Sequence, residues 1–69
     1  MTFICKGVIR CQHEEKSTER LRIESVVYES NLKDAYSKFF DKLQACCDSL
    51  KPFGNKIDFE VTKVESTLD

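Results

Sequence analysis

The sequence predicts an α+β fold with element order ββαβ, a two-layer sandwich of a three-stranded antiparallel sheet and one long helix on one face. Three observations predict it. In the stretch 30–50, SNLKDAYSKFFDKLQACCDSL, the residues Leu32, Tyr36, Phe39, Leu43, Cys46 and Leu50 recur at alternating four- and three-residue steps, which places them on one helix face. The stretches 2–12, 18–29 and 56–64 instead alternate with a period of two, as half-buried strands do. The helical stretch lies between the second and third strands, so it carries the chain back across the sheet in a right-handed crossover.

In the first strand, Phe3, Cys5, Gly7, Ile9 and Cys11 share the face toward the helix; Ile4, Lys6, Val8 and Arg10 share the other. Apolar residues on both faces suit a central strand, hence the spatial order 2-1-3. Gly7 weakens a strand, so it marks a bulge or the close approach of a ring such as Tyr36 or Phe39. The polar stretch 12–17, QHEEKS, reads as a four- or five-residue hairpin loop. In the second strand Leu21, Ile23, Ser25 and Val27 face the helix. One register sets Ile9 opposite Leu21, Phe3 opposite Val27, Lys6 opposite Glu24 and Ile4 opposite Val26, at the cost of Arg10 opposite Arg20.

Ser30 and Asn31 are both good helix N-caps. Ala35, Phe40 and Cys47 widen the apolar stripe. Lys33, Asp34, Lys38, Asp41, Lys42 and Asp48 form a solvated outer face, with Asp34 and Lys38 spaced for an ion pair. Pro52 stops the helix and Gly54 turns the chain. In the third strand Ile57, Phe59 and Val61 point inward, and Asp58, Glu60 and Thr62 outward. The alternation slips at Lys63–Val64, which predicts a bulge or the strand's end there, followed by a frayed tail over 66–69.

The chain has 69 residues, with 11 basic against 12 acidic side chains and a net charge of −1. That length makes one domain, residues 1–69, whose core buries only roughly 60% of its unfolded surface. A core this marginal leaves room for added stabilisation from a partner, a metal or self-association. The charge balance is not that of a polyanion binder. No apolar run approaches the ~20 residues of a membrane span, and the N-terminus lacks the order of a signal peptide. The expectation is a cytoplasmic protein, with Cys5, Cys11, Cys46 and Cys47 reduced.

Catalytic constellations are not expected. Cys11, His13, Cys46 and Cys47 converge at one end of the predicted fold, but the zinc-knuckle spacing is missing, and the expectation is small apolar cysteines at positions 5, 11 and 46 with no metal or cofactor. His13 lies near Ser17 and Thr18 without an oxyanion glycine. Glu14–Glu15 and Asp58/Glu60 are carboxylate pairs without a pocket to separate their pKa values. The helix-free face is the informative one. Lys6, Arg10, Arg20 and Arg22 with Tyr28 suggest a platform for single-stranded nucleic acid, but Asp58 and Glu60 lie beside them. Ile4, Val8, Val26 and Tyr28 form an apolar strip with nothing to cover it, a contact signal. The candidate partner-binding set is therefore Ile4, Lys6, Val8, Arg10, Arg22, Val26 and Tyr28, facing a protein partner or a second copy in a homodimer.

The segment IESVVYESNLKDAYSKF, with a hairpin before it and a strand after it, resembles two groups. One is very small phage-encoded α+β proteins, including anti-CRISPR and other inhibitors of host defence. The other is the L18ae/LX type of ribosomal protein domain. The first resemblance implies a non-enzymatic inhibitor or adaptor acting by surface contact; the second implies an RNA- or ribosome-associated module. A metal- or redox-linked small protein is the third class the cysteines allow.

Overall fold

The computed structural model describes residues 1–12, 18–51 and 56–67. Strand β1 (Thr2–Gln12) and strand β2 (Thr18–Tyr28) are followed by helix α1 (Leu32–Leu50) and strand β3 (Lys56–Ser66). The sheet order is β2-β1-β3 with both pairings antiparallel. This is the predicted α+β class. The predicted hairpin register also holds throughout: Phe3 faces Val27, Ile4 faces Val26, Lys6 faces Glu24, Ile9 faces Leu21 and Arg10 faces Arg20. The hairpin loop, including His13, and the expected turn at Pro52 and Gly54 lie outside the described residues.

Two boundaries differ from expectation. β2 ends at Tyr28, one residue early, and β3 continues to Ser66. Of the tail expected to fray, Ser66 belongs to β3 and the Thr67 N–H donates to the Thr2 carbonyl at 2.9 Å, while positions 68–69 lie outside the described residues. The irregularity in β3 is a bulge one position earlier than the sequence suggested. Gly7 pairs with Val61 and Lys6 pairs with Lys63, so Thr62 is the extra residue. Its hydroxyl donates to the Lys6 carbonyl at 3.1 Å. The extra residue puts both Val61 and Val64 on the helix side, which is why the alternation slips just after it.

Asn31, not Ser30, caps α1. Its backbone is extended and its side-chain oxygen accepts from the Asp34 N–H at 2.9 Å. The side-chain amide of Asn31 also donates to the Asp34 carboxylate at 3.1 Å. The expected Asp34–Lys38 pair does not form; Lys38 instead reaches Glu29 at 3.2 Å.

The core consists of Phe3, Cys5 and Ile9 from β1, Val27 from β2, and Ala35, Phe39, Leu43 and Cys47 from α1. The four helix residues are a single row at four-residue spacing. The predicted stripe is thus rotated: Leu32, Tyr36 and Phe40 lie at its margins and remain exposed. Tertiary packing explains this. α1 packs chiefly over β1 and β3. The Phe40 ring meets Phe59 of β3 edge-on with centroids 4.9 Å apart, and Tyr36 stacks on Phe40 at 6.1 Å. The opposite margin leaves β2 less covered. Leu21 was expected to face the helix and is 53% exposed, although its neighbour Ile9 on β1 is buried.

Candidate functional site

The helix-free face is built from the outward-pointing alternate residues of the three strands, and the register sets them in rows. Glu65, Ile4 and Val26 form one row across β3, β1 and β2. Lys63, Lys6 and Glu24 form the next, then Glu60, Val8 and Arg22, then Asp58, Arg10 and Arg20. Tyr28 stands at the end of β2 opposite Thr2, on the same face as Val26. All seven predicted contact residues therefore share this face. The apolar part is not one strip. Ile4, Val26 and Tyr28 cluster at one end, and the Lys63–Lys6–Glu24 row separates Val8 from them. Val26 is 53% and Tyr28 72% exposed.

Next to the apolar cluster, over the following rows, lies a depression of about 620 Å³ whose walls include Lys6, Val8, Arg10, Arg22, Glu24 and Glu60. Arg10 is spoken for. Its Nε donates to Asp58 at 2.7 Å and its Nη1 to Glu60 at 3.5 Å, and the Asp58 hydrogen bond is the main reason its pKa lies above the usual range. The carboxylate pair that the sequence offers on β3 is thus engaged with one guanidinium. Lys63 holds the Glu65 carboxyl below the usual carboxylate range through a 2.9 Å contact. Among the described residues, Arg20, Arg22 and Glu24 have no ion-pair partner within 4 Å.

A second groove of about 400 Å³ runs between β2 and α1, lined by Val26, Val27, Tyr28, Lys38, Asp41 and Lys42. Lys42 donates to the Ser25 hydroxyl at 3.1 Å. Sequence reasoning placed these lysines on a solvated helix face. Only the rotation of α1 brings that flank against β2, and no spacing signal carries a rotation of this kind.

Among the described residues, which do not include His13, the cysteines are not gathered into a site. All four are free thiols, and among the described residues no group of His, Cys, Asp and Glu is placed to hold a metal. Cys5 and Cys47 are buried, while Cys11 and Cys46 are half-buried. This corrects the expected set at positions 5, 11 and 46: the second core cysteine is Cys47, on the buried helix row. Burial pushes both core thiols up; Lys42 opposes this at Cys5, and the Asp48, Cys46 and Asp58 charges reinforce it at Cys47. Thiolate chemistry is suppressed there. In the native protein a small alkylating reagent should therefore modify Cys11 and Cys46 first, with all four modified after denaturation. Mass spectrometry of the timed reaction checks this, and Cys5 or Cys47 reacting first would contradict the burial. A pH dependence follows. A thiol raised in the folded state stays protonated when the unfolded thiol ionises near pH ~8.5. Stability is thus retained below that pH and falls as pH climbs toward the folded values. Urea melts from neutral to alkaline pH should show the midpoint falling, and Cys47→Ala should lessen the slope.

Compared with protein-family models, with curated proteins and with solved structures, the chain matches none of them. No helix among the described residues is long and apolar enough to cross a membrane.

Proposed function

We propose that the protein is a small non-enzymatic binding module of the cytoplasm that inhibits or adapts a larger protein by docking its helix-free sheet face. The observation that carries this reading is the apolar cluster of Ile4, Val26 and the largely exposed Tyr28, set beside charged rows. In water this cluster contributes nothing to folding. Buried against a partner, it would yield roughly 25 cal/mol per Å² of apolar surface. The anatomy is that of an interface: an aromatic anchor, aliphatic neighbours and a rim of Lys6, Arg10, Arg22, Glu24 and Glu65 that orients more than it binds. The engagement of Arg10 by Asp58 and Glu60 reduces the basic surface that a nucleic-acid platform needs, which favours a protein partner over RNA.

Affinity capture from the native host with mass spectrometry tests this. The wild-type protein should retain a specific partner. Tyr28→Ala and Val26→Asp should weaken that binding by at least about 30-fold while the far-ultraviolet spectrum stays unchanged. Lys33→Glu, on the outer face of α1, should leave it intact. Lys38 is a poorer control because it is paired with Glu29. Loss of binding in Lys33→Glu with retention in the sheet variants would move the docking surface to the helix. Salt-sensitive retention of single-stranded RNA in place of a protein would replace the reading with an RNA-associated module.

A further inference from the structure

We infer that two copies of this chain pair edge to edge through β2, antiparallel about Ile23, to form a continuous six-stranded sheet. The inference does not rest on the docking role of the open face, because edge pairing leaves that face uncovered in both copies.

The two sheet edges are not alike. β3 is interrupted by the Thr62 bulge, a device that twists an edge away from further pairing. β2 pairs with β1 over all eleven residues without a register shift, and its sequence TERLRIESVVY contains no proline or glycine. Its outer backbone groups form a regular ladder with no strand beside them among the described residues. The helix leans over β1 and β3, so Leu21 and Ile23 at this edge are left exposed and half-buried.

The sequence of β2 then selects a second copy and a register. A two-fold axis normal to the sheet keeps each face on its own side, so a residue of one copy meets a residue of the same face in the other. Centring on Arg22 sets Arg22 against Arg22, and centring on Glu24 sets Glu24 against Glu24. Centring on Leu21 sets Arg20 against Arg22. Centring on Ile23 sets Arg22 against Glu24 twice, once on each side of the axis, with the two Ile23 side chains in contact on the helix side. Among the described residues, Arg22 and Glu24 are both exposed charges with no ion-pair partner within 4 Å, so each is available to the other copy. In the same register Leu21 lies opposite Ser25. The two Lys42 side chains, each bonded to its own Ser25, then fall about 14 Å apart along the seam and do not oppose one another.

Sedimentation equilibrium tests the seam. One strand edge is a small interface, so the series runs from about 10 µM to about 1 mM. The wild-type chain should pass from monomer to dimer across it. Arg22→Glu sets four carboxylates at the seam and Glu24→Arg sets four guanidiniums, so each variant alone should dimerise at least about tenfold more weakly. Mixed together, the two variants regain both opposite-charge pairs and should form a heterodimer with near wild-type affinity. Circular dichroism of each variant confirms that it is folded. A wild-type chain that stays monomeric throughout overturns the inference. So does a dimer indifferent to the single reversals, a mixture that fails to recover association, or a dimer lost instead in Ile4→Asp, which lies on central β1 and would place two open faces against each other.

Discussion

Phe39→Ala should cost about 3–5 kcal/mol, which is comparable to the whole stability of a domain this small. The side chain is fully buried at the middle of the helix row Ala35–Phe39–Leu43–Cys47, against the centre of the sheet. Removing the ring takes away its transfer energy and leaves a cavity that cannot collapse. On one side is the β1 backbone at Gly7, and on the other Leu43 is already packed to full burial. Asp41→Ala, two residues along on the exposed side of the same helix, should cost under ~0.5 kcal/mol. Urea melts of the two variants give the comparison. Equal losses would mean that Phe39 does not face the sheet.

Gly7→Ala should destabilise by about 1–3 kcal/mol, and Gly7→Val by more, although glycine is a poor strand residue. Two effects compete. Replacing glycine lowers the entropy of the unfolded chain, which favours folding by about 0.4–1 kcal/mol. Against this, a Cβ at position 7 would lie 2.7 Å from Leu43 Cδ1, 3.0 Å from the Glu60 carbonyl oxygen and 3.2 Å from Phe39 Cε2. Leu43 is fully buried and has nowhere to swing, and the Glu60 carbonyl belongs to the neighbouring strand. The clash therefore wins, and it wins because α1 approaches β1 this closely. A double-mutant cycle isolates the cause: in a Leu43→Ala background the Gly7→Ala penalty should shrink. A stabilising Gly7→Ala in the wild-type background would show that the helix stands further off the sheet.

That the candidate residues share one face was legible because strand alternation needs no knowledge of the third dimension. Once 2–12 and 18–29 are strands, Ile4, Val8, Val26 and Tyr28 must share a face, and the hydrophobic pattern alone selects the register that the hairpin adopts. Alternation and the hairpin register also place the Lys6–Glu24 pair between Ile4 and Val8. Only the addition of Lys63 to that row depends on where β3 lies and on the bulge that shifts its register. The engagement of Arg10 by Asp58 and Glu60 was foreseeable from the order 2-1-3, whereas the freedom of Arg22 and Glu24 needed side-chain positions.

Periodicity by itself determined the three strands, the helix, the central place of β1 and the facing of the strand residues up to Val61 of β3, since a period of two or 3.6 is a local property of the chain. The rotation and lateral position of α1 were decided only in the tertiary structure. Leu32–Tyr36–Phe39–Leu43 and Ala35–Phe39–Leu43–Cys47 are both acceptable apolar rows. The second is buried because Gly7 opens a groove in the sheet at Phe39 and Leu43, and because Phe59 draws Phe40 toward β3. That same shift uncovers Leu21 and leaves β2 as an open edge. It is a choice among packings with similar local energies, so it depends on contacts between residues distant in sequence, which no local pattern encodes.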